Sequence, residues 1–152
     1  MILSLLFTNC RKESTSYLQR AYEEAVKLHQ EGNLNDAVFY YQLTALNCQY
    51  HPEDSLTYWW KAMCGQGEVW RQKNFLDRAQ TDFETVLQNA PKSRLDTAEY
   101  IASRKLTLIA LEQQHYDKAY SYAMRAWKTA AKKQFPETMT DGQENERILA
   151  GF

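Results

Sequence analysis

The sequence is poor in glycine, proline and cysteine, with five, three and three residues of each kind among 152. Few chain-breaking residues beside 44% hydrophobic and 13% aromatic residues are typical of a mostly helical globular domain, not of a long disordered segment. A chain of this length buries roughly 70% of the surface that its unfolded form exposes. We therefore expect a single domain whose core needs no disulfide bond.

An excess of charge of one sign is also missing, because 18 Lys and Arg residues oppose 19 Asp and Glu residues and leave a net charge of −1. Binding to nucleic acid normally requires a concentrated basic face, so we expect no nucleic-acid partner. Arg125, Lys128, Lys132 and Lys133 form a basic stripe near the end of a predicted helix. The helix dipole favours cations there, which indicates a solvated face; contact with an acidic partner is the alternative.

No membrane-spanning run is present at the amino terminus, because the apolar stretch Met1–Phe7 is far shorter than the ~20 residues that cross a bilayer. The stretch leads into Cys10 and a polar tether, an order that resembles a bacterial lipoprotein signal in which Cys10 is lipidated. No basic residue precedes the run, and Asn9 is larger than such signals prefer. We expect residues 1–15 to be signal-like or flexible and the protein to be periplasmic or membrane-anchored; a cytoplasmic protein is the alternative.

Apolar residues at helical spacing predict six helices. They run over Ser16–Gln30, Asn35–Cys48, Pro52 through Trp70, Phe75–Ala90, Asp96–Gln113 and Asp117–Gln134. Capping-box spacing at Ser16 with Gln19 and at Asp96 with Glu99 marks two of the starts. Gly67 lies inside the third helix, where glycine costs roughly 1 kcal/mol relative to alanine, so it predicts a close helix contact there, as does Gly65.

One pattern occurs three times: a small residue is followed twelve positions later by alanine, across a short polar turn. The pairs are Ala25 with Ala37, Gly67 with Ala79 and Thr107 with Ala119, and the turn residues five positions before each alanine are Gly32, Asn74 and Gln114. The alanines are separated by 42 and 40 residues. Small residues on two antiparallel helices let their backbones approach, so the pattern predicts three stacked helical hairpins.

These hairpins resemble the tetratricopeptide repeat. The middle copy carries the likeness most fully, through Gly67, Trp70, Leu76, Ala79, Phe83, Leu87 and Pro91. The first copy has Thr44 where the family prefers alanine, the third has Thr107 and Ala110 where it prefers small and aromatic residues, and the spacing exceeds the usual period of about 34 residues. The resemblance implies an all-α, right-handed superhelix of about three hairpins over residues 16–135, then a capping helix or tail over 136–152. An ordinary six-helix bundle is the alternative.

The resemblance also implies a non-catalytic protein whose concave face, lined by the first helix of each hairpin, binds a peptide or partner helix. The residues that this places on the concave face are Tyr22, Val26, His29, Cys64, Glu68, Arg71, Arg104, Leu108 and Leu111. Some relatives grip the acidic tail of heat-shock chaperones through a basic clamp, but at the corresponding positions only Lys105 keeps the charge, so that role is disfavoured. Packing within the core is the alternative for each apolar residue, and self-association is open.

Other functions have weaker support. Cys48, His51 and Cys64 suggest zinc, but a structural site needs four ligands and their spacing matches no common framework, so we expect no metal and no cofactor. A disulfide between the two cysteines is open if the protein is exported. Without a phosphate loop or nucleophile elbow, a catalytic helical protein is a distant alternative; a piece of a longer sensor or scaffold is a closer one.

Overall fold

A computed structural model describes residues 17–48, 55–93 and 95–133 of the chain. All regular secondary structure in these residues is α-helical, which confirms the predicted all-α class. The first helix, α1, covers residues 17–30. The others are α2 (Leu34–Cys48), α3 (Leu56–Gln72), α4 (Leu76–Asn89), α5 (Asp96–Glu112) and α6 (Tyr116–Lys133).

The helix boundaries lie close to the predicted ones, but a predicted cap is wrong. Asp96 is the first residue of α5, not its cap; the capping position is Leu95, which makes no side-chain hydrogen bond. The acid still lies in the first turn, where the helix dipole favours negative charge. Pro52, the predicted start of α3, and Ser16 of the other predicted capping box lie outside the described residues, and Gln19 donates a hydrogen bond to Glu23.

The three hairpins share one turn. Gly32, Asn74 and Gln114 have φ angles of +78°, +61° and +60°, so the second residue after each first helix adopts the left-handed conformation. The next amide donates to a carbonyl five residues back, as Asn33 to Leu28 (2.9 Å), Phe75 to Trp70 (2.8 Å) and His115 to Ala110 (2.7 Å). This is the Schellman motif, which satisfies carbonyls that a helix end leaves without partners. The three-fold pattern in the sequence is therefore a repeated turn in the structure.

The small residues lie where helices approach closely. Ala25, Ala37 and Ala79 have no exposed surface, and Ala119 is almost as buried. A Cβ atom added to Gly67 would lie 3.0 Å from two ring carbons of Phe83, so the ring of α4 rests directly on the backbone of α3. The close contact predicted at Gly67 is confirmed, and it explains why a helix tolerates glycine there.

The chain divides into two compact units, Met1–Ala62 and Met63–Phe152, and the boundary falls inside α3. The first unit has an aromatic core in which the Tyr22 ring lies 6.1 Å from that of Tyr41 and 5.9 Å from that of Tyr58, measured between centroids. At the start of α3, the Ser55 hydroxyl donates to the carbonyl of Cys48 (2.9 Å), at the end of α2.

In the second unit, α5 packs against both α4 and α6. Arg125 of α6 donates to the Glu99 carboxylate (2.7 Å) and to the carbonyl of Leu87 (3.2 Å). The Tyr122 hydroxyl donates to Glu84 (2.9 Å), and burial together with that hydrogen bond raises the pKa of Tyr122 to about 12. These polar links fix the second unit's last hairpin in place.

Candidate functional site

The three predicted binding residues of α1 are buried. Tyr22, Val26 and His29 expose less than a tenth of their surface, and Nδ1 of His29 lies 3.4 Å from the Tyr41 hydroxyl. Burial, with a contribution from nearby Tyr22, raises the pKa of Tyr41 far above its usual value. These side chains build the core of the first unit and expose almost no surface that a partner could contact. Their role in binding stays a prediction.

Two of the three predicted residues of α3, Glu68 and Arg71, belong to an ion network. Cys64 and Glu68 are buried. Glu68 accepts hydrogen bonds from Arg71 on its own helix (2.8 Å) and lies 3.4 Å from the ammonium group of Lys105 on α5. Arg71 reaches on to Glu112 (3.0 Å). The network holds α3 against α5 within the second unit.

Charge balance keeps Glu68 ionised inside this network. Burial alone would raise the pKa of its carboxyl, but the hydrogen bond from Arg71 and the charge of Lys105 outweigh burial, and the pKa is lowered. Because Lys105 is fully buried beside Glu68, it presents no charge at the surface. The one position that matched the basic clamp of chaperone adaptors is therefore structural.

The predicted residues of α5 lie at the surface. Arg104 and Leu108 are half-buried, and Leu111 is 47% exposed. Arg104 and Leu108 line an open groove of about 400 Å³ between α5 and α6, whose wall is otherwise mostly apolar. The groove is lined by Tyr100, Arg104, Thr107, Leu108, Ala123, Ala126, Trp127 and Ala130.

Among the described residues that line the groove, Arg104 is the only charged one. Its guanidinium lies 5.8 Å from the centroid of the Tyr100 ring, within the range of a cation–π contact. On the opposite wall, Trp127 is 55% exposed. A wide aromatic face and one cation in a concave apolar surface are suited to anchoring an apolar side chain beside an acidic one.

Sequence reasoning missed the α6 wall of this groove. The 40-residue spacing between the repeated alanines was the available signal, because Ala123 and Trp127 lie 40 residues after Phe83 and Leu87 and so occupy the same face of the next hairpin's second helix. Both of the earlier residues are buried, so the shared spacing alone would place the later pair in the core. Only the structure shows that Trp127 is exposed.

The cysteine-based alternatives receive no geometric support from the described residues. Cys48 and Cys64 are buried thiols, and burial raises the pKa of Cys48 to about 11 in spite of its hydrogen bond with Ser55. His51 and the predicted lipidation site Cys10 lie outside the described residues. Within the parts of the chain that the structure describes, no three His, Cys, Asp or Glu side chains are grouped to hold a metal ion.

Comparison of the chain with protein-family models, with curated proteins and with solved structures finds no match. Among the helices described, none has both the length and the apolar character needed to cross a membrane. The groove between α5 and α6 is thus the candidate site on the strength of its own geometry.

Proposed function

We propose that this protein is a non-catalytic interaction module that binds a peptide or a partner helix in the groove between α5 and α6. The observation that carries the proposal is the groove itself, which joins predicted binding residues Arg104 and Leu108 to the exposed ring of Trp127. Its volume of about 400 Å³ falls in the range of about 300–1,000 Å³ usual for ligand sites. It accepts a few anchoring side chains, which is how peptides dock onto helical surfaces.

The proposed architecture around the groove is a tetratricopeptide-like right-handed superhelix. Its support is the repeated Schellman turn at Gly32, Asn74 and Gln114 and the buried alanine five residues after each turn. Repeat proteins use extended surfaces of this kind to bind other proteins. In this proposal the second unit supplies the binding residues, and the buried tyrosines of the first unit supply stability.

Binding of peptides selected from a random library tests the proposal. Leu108→Asp places a charge on the apolar wall, so we expect it to weaken binding of selected peptides at least about tenfold. Arg104→Ala should weaken acidic peptides more than neutral ones. Fluorescence polarisation with labelled peptides measures both effects.

The matched control is Leu46→Asp, which changes an exposed leucine of α2 and should leave binding unchanged. Circular dichroism should show the same helix content in all three variants. If the selected peptides bind Leu108→Asp as tightly as the original protein, the groove is not the binding site and the proposal fails.

We also propose that Cys10 tethers the protein to a bacterial envelope membrane, on the support of the apolar run that precedes it. Mass spectrometry of protein from a bacterial membrane fraction should show an acylated Cys10 at the start of the mature chain. Cys10→Ser should release the protein from that fraction. An unmodified Cys10 in membrane-derived protein would refute the tether and leave the groove proposal intact.

A further inference from the structure

One face of α6, which includes its wall of the groove, carries large aromatic side chains that nothing in the described structure covers. Tyr116, Tyr120 and Trp127 are 67%, 68% and 55% exposed, and Ala123, also exposed, lies among them. Their spacing of four, three and four residues places all four on one side of the helix. We call Tyr116, Tyr120, Ala123 and Trp127 the α6 stripe.

We propose that the α6 stripe is a self-association surface, on which α6 of a second copy of this chain packs antiparallel across a two-fold axis near Ala123. This inference goes beyond peptide binding in the groove. Ala123 and Trp127 belong to both surfaces, whereas Tyr116 and Tyr120 are not among the residues that line the groove, so a change at Tyr120 tests the dimer separately from peptide binding. The stripe has three properties that suit a second copy: its area, the order of its residues and the charges at its edge.

The area of the stripe suits a weak dimer. Large aromatic side chains have roughly 150–250 Å² of surface each, so at these exposures the three rings leave roughly 300–500 Å² in contact with water. Continuous apolar patches of this size are at the upper end for monomeric proteins, whereas stable complexes bury about 800 Å² on each partner. A dimer that forms at high concentration and dissociates on dilution is the expected outcome.

The order of residues along the stripe is suited to a two-fold axis. Ala123 lies between Tyr120 and Trp127, so a small residue is flanked by a large ring on each side. When two α6 helices pack antiparallel about Ala123, their backbones approach at the alanine, and Tyr120 of each copy meets Trp127 of the other. The antiparallel arrangement also opposes the two helix dipoles favourably.

The charges at one edge of the stripe complete the match. Asp117 and Lys128 are exposed and lie on the same flank of α6, near opposite ends of the stripe. A two-fold axis across the helix brings this flank of one copy against the same flank of the other. Asp117 of each copy then faces Lys128 of the other copy. These two symmetry-related pairs of opposite charge specify the antiparallel direction.

Concentration-dependent mass is the first test. Sedimentation equilibrium of the full chain should give a mean mass that rises from 17.8 kDa toward twice that value as the protein is concentrated. Tyr120→Glu should raise the dissociation constant of the dimer at least about tenfold, because it buries a charge at the centre of the contact. A wild-type protein that is monomeric at every concentration overturns the proposal, including the case in which another part of the chain covers the stripe.

Charge reversal tests the antiparallel direction. Asp117→Lys and Lys128→Asp each place like charges in both pairs, so each variant alone should dimerise several-fold more weakly than the original protein. An equimolar mixture of the two variants should regain the original affinity, because each heterodimer restores both opposite-charge pairs. The gain on mixing should shrink in high salt.

Two matched controls separate this effect from changes in the helix itself. Lys118→Asp reverses a charge on the opposite side of α6, and Asp77→Lys reverses the corresponding first-turn acid of α4; both residues are exposed. Both variants should dimerise like the original protein. If the mixture of Asp117→Lys and Lys128→Asp dimerises no better than either variant alone, the antiparallel pairing is refuted.

Discussion

Helices α4 and α6 hold the same position in two successive hairpins, 40 residues apart, but the face that is buried on α4 is exposed on α6. On α4, Phe83 and Leu87 are buried, whereas the corresponding residues of α6 are the exposed Ala123 and Trp127. Both helices begin after the same left-handed turn. The turn thus fixes where the second helix starts, and the residues that follow decide whether its face becomes buried core or exposed surface.

The largest expected effect comes from exchanging the residues at this shared position. Phe83→Ala should destabilise the protein by about 3–5 kcal/mol, because it removes a fully buried ring and leaves a cavity. Ala123→Phe, the reverse change on α6, should alter the free energy of unfolding by less than about 0.5 kcal/mol. Urea unfolding at low protein concentration measures both. Equal effects of the two changes would show that the helices do not differ as described.

A second contrast involves the residues one position earlier, Asp82 on α4 and Tyr122 on α6. Tyr122 donates a hydrogen bond to Glu84. Asp82 is buried, and its Oδ2 atom has no hydrogen-bond partner in the described structure. Burial raises the pKa of Asp82 from 3.8 to about 7, although a hydrogen bond with Gln66 opposes the shift.

This shift predicts a pH dependence of stability. As pH rises, Asp82 keeps its proton to a higher pH in the folded state than in the unfolded state. The stabilising effect of protonated Asp82 on the fold is therefore fully present below about pH 4 and declines as pH rises to about 7. Asp82→Asn should remove that decline and make the protein about 2–4 kcal/mol more stable at pH 8, with little change at pH 4. Thermal unfolding across this range is the measurement, and exposed Asp77→Asn is the control. Parallel pH profiles for the Asp82 variant and the original would contradict the assignment.

A third, smaller effect tests the contact between Gly67 and Phe83 that gives α4 its buried face. Gly67→Ala alone should destabilise by about 1–2 kcal/mol, because a methyl group 3.0 Å from the ring overpacks the contact by more than the helix propensity gained. In a Phe83→Ala background the same change should stabilise by up to about 1 kcal/mol, since the space is open. A double-mutant cycle measures this reversal of sign. Additive effects would refute the close contact.

Much of the fold could be predicted from the sequence because its signals are local. Apolar spacing and breakers such as Gly32 and Pro91 placed most helix ends within about two residues, and the alanine register located the three turns. The Asp96 cap was wrong because capping-box spacing also fits an acid that lies one residue inside the helix. Periodicity tells which residues share a face, but it does not tell what covers that face.

The candidate site was harder to predict for the same reason. Val26 and Leu108 both lie eleven residues before the repeated alanine of their hairpin, yet Val26 is core and Leu108 lines a groove. Likewise the sequence contains Glu68 and Lys105 without showing that they neutralise each other inside the fold. Burial and ion pairing depend on contacts between distant residues, which spacing along the chain does not specify.

The smallest expected effects compare the three turns. Gln114→Gly should stabilise by about 0.5–1 kcal/mol, because glutamine at a φ of +60° carries a steric cost that glycine avoids. Asn74→Gly should gain less, since asparagine tolerates the left-handed region better. Gly32→Ala should destabilise the protein by about 1 kcal/mol, because alanine at a φ of +78° carries the steric cost that glycine avoids. Chemical unfolding of the three variants gives the order, and a larger gain at Asn74 than at Gln114 would contradict it.

The repeated turn also gives each hairpin an amide whose hydrogen exchange reports the opening of that hairpin alone. The amides of Asn33, Phe75 and His115 make the same hydrogen bond within the chain, so each exchanges its hydrogen with solvent only when its own turn opens. Measuring their exchange rates therefore gives the free energy of opening for each of three chemically similar turns in one molecule. A faster exchange at His115 than at Phe75 would identify the last hairpin as the part of the protein that opens first.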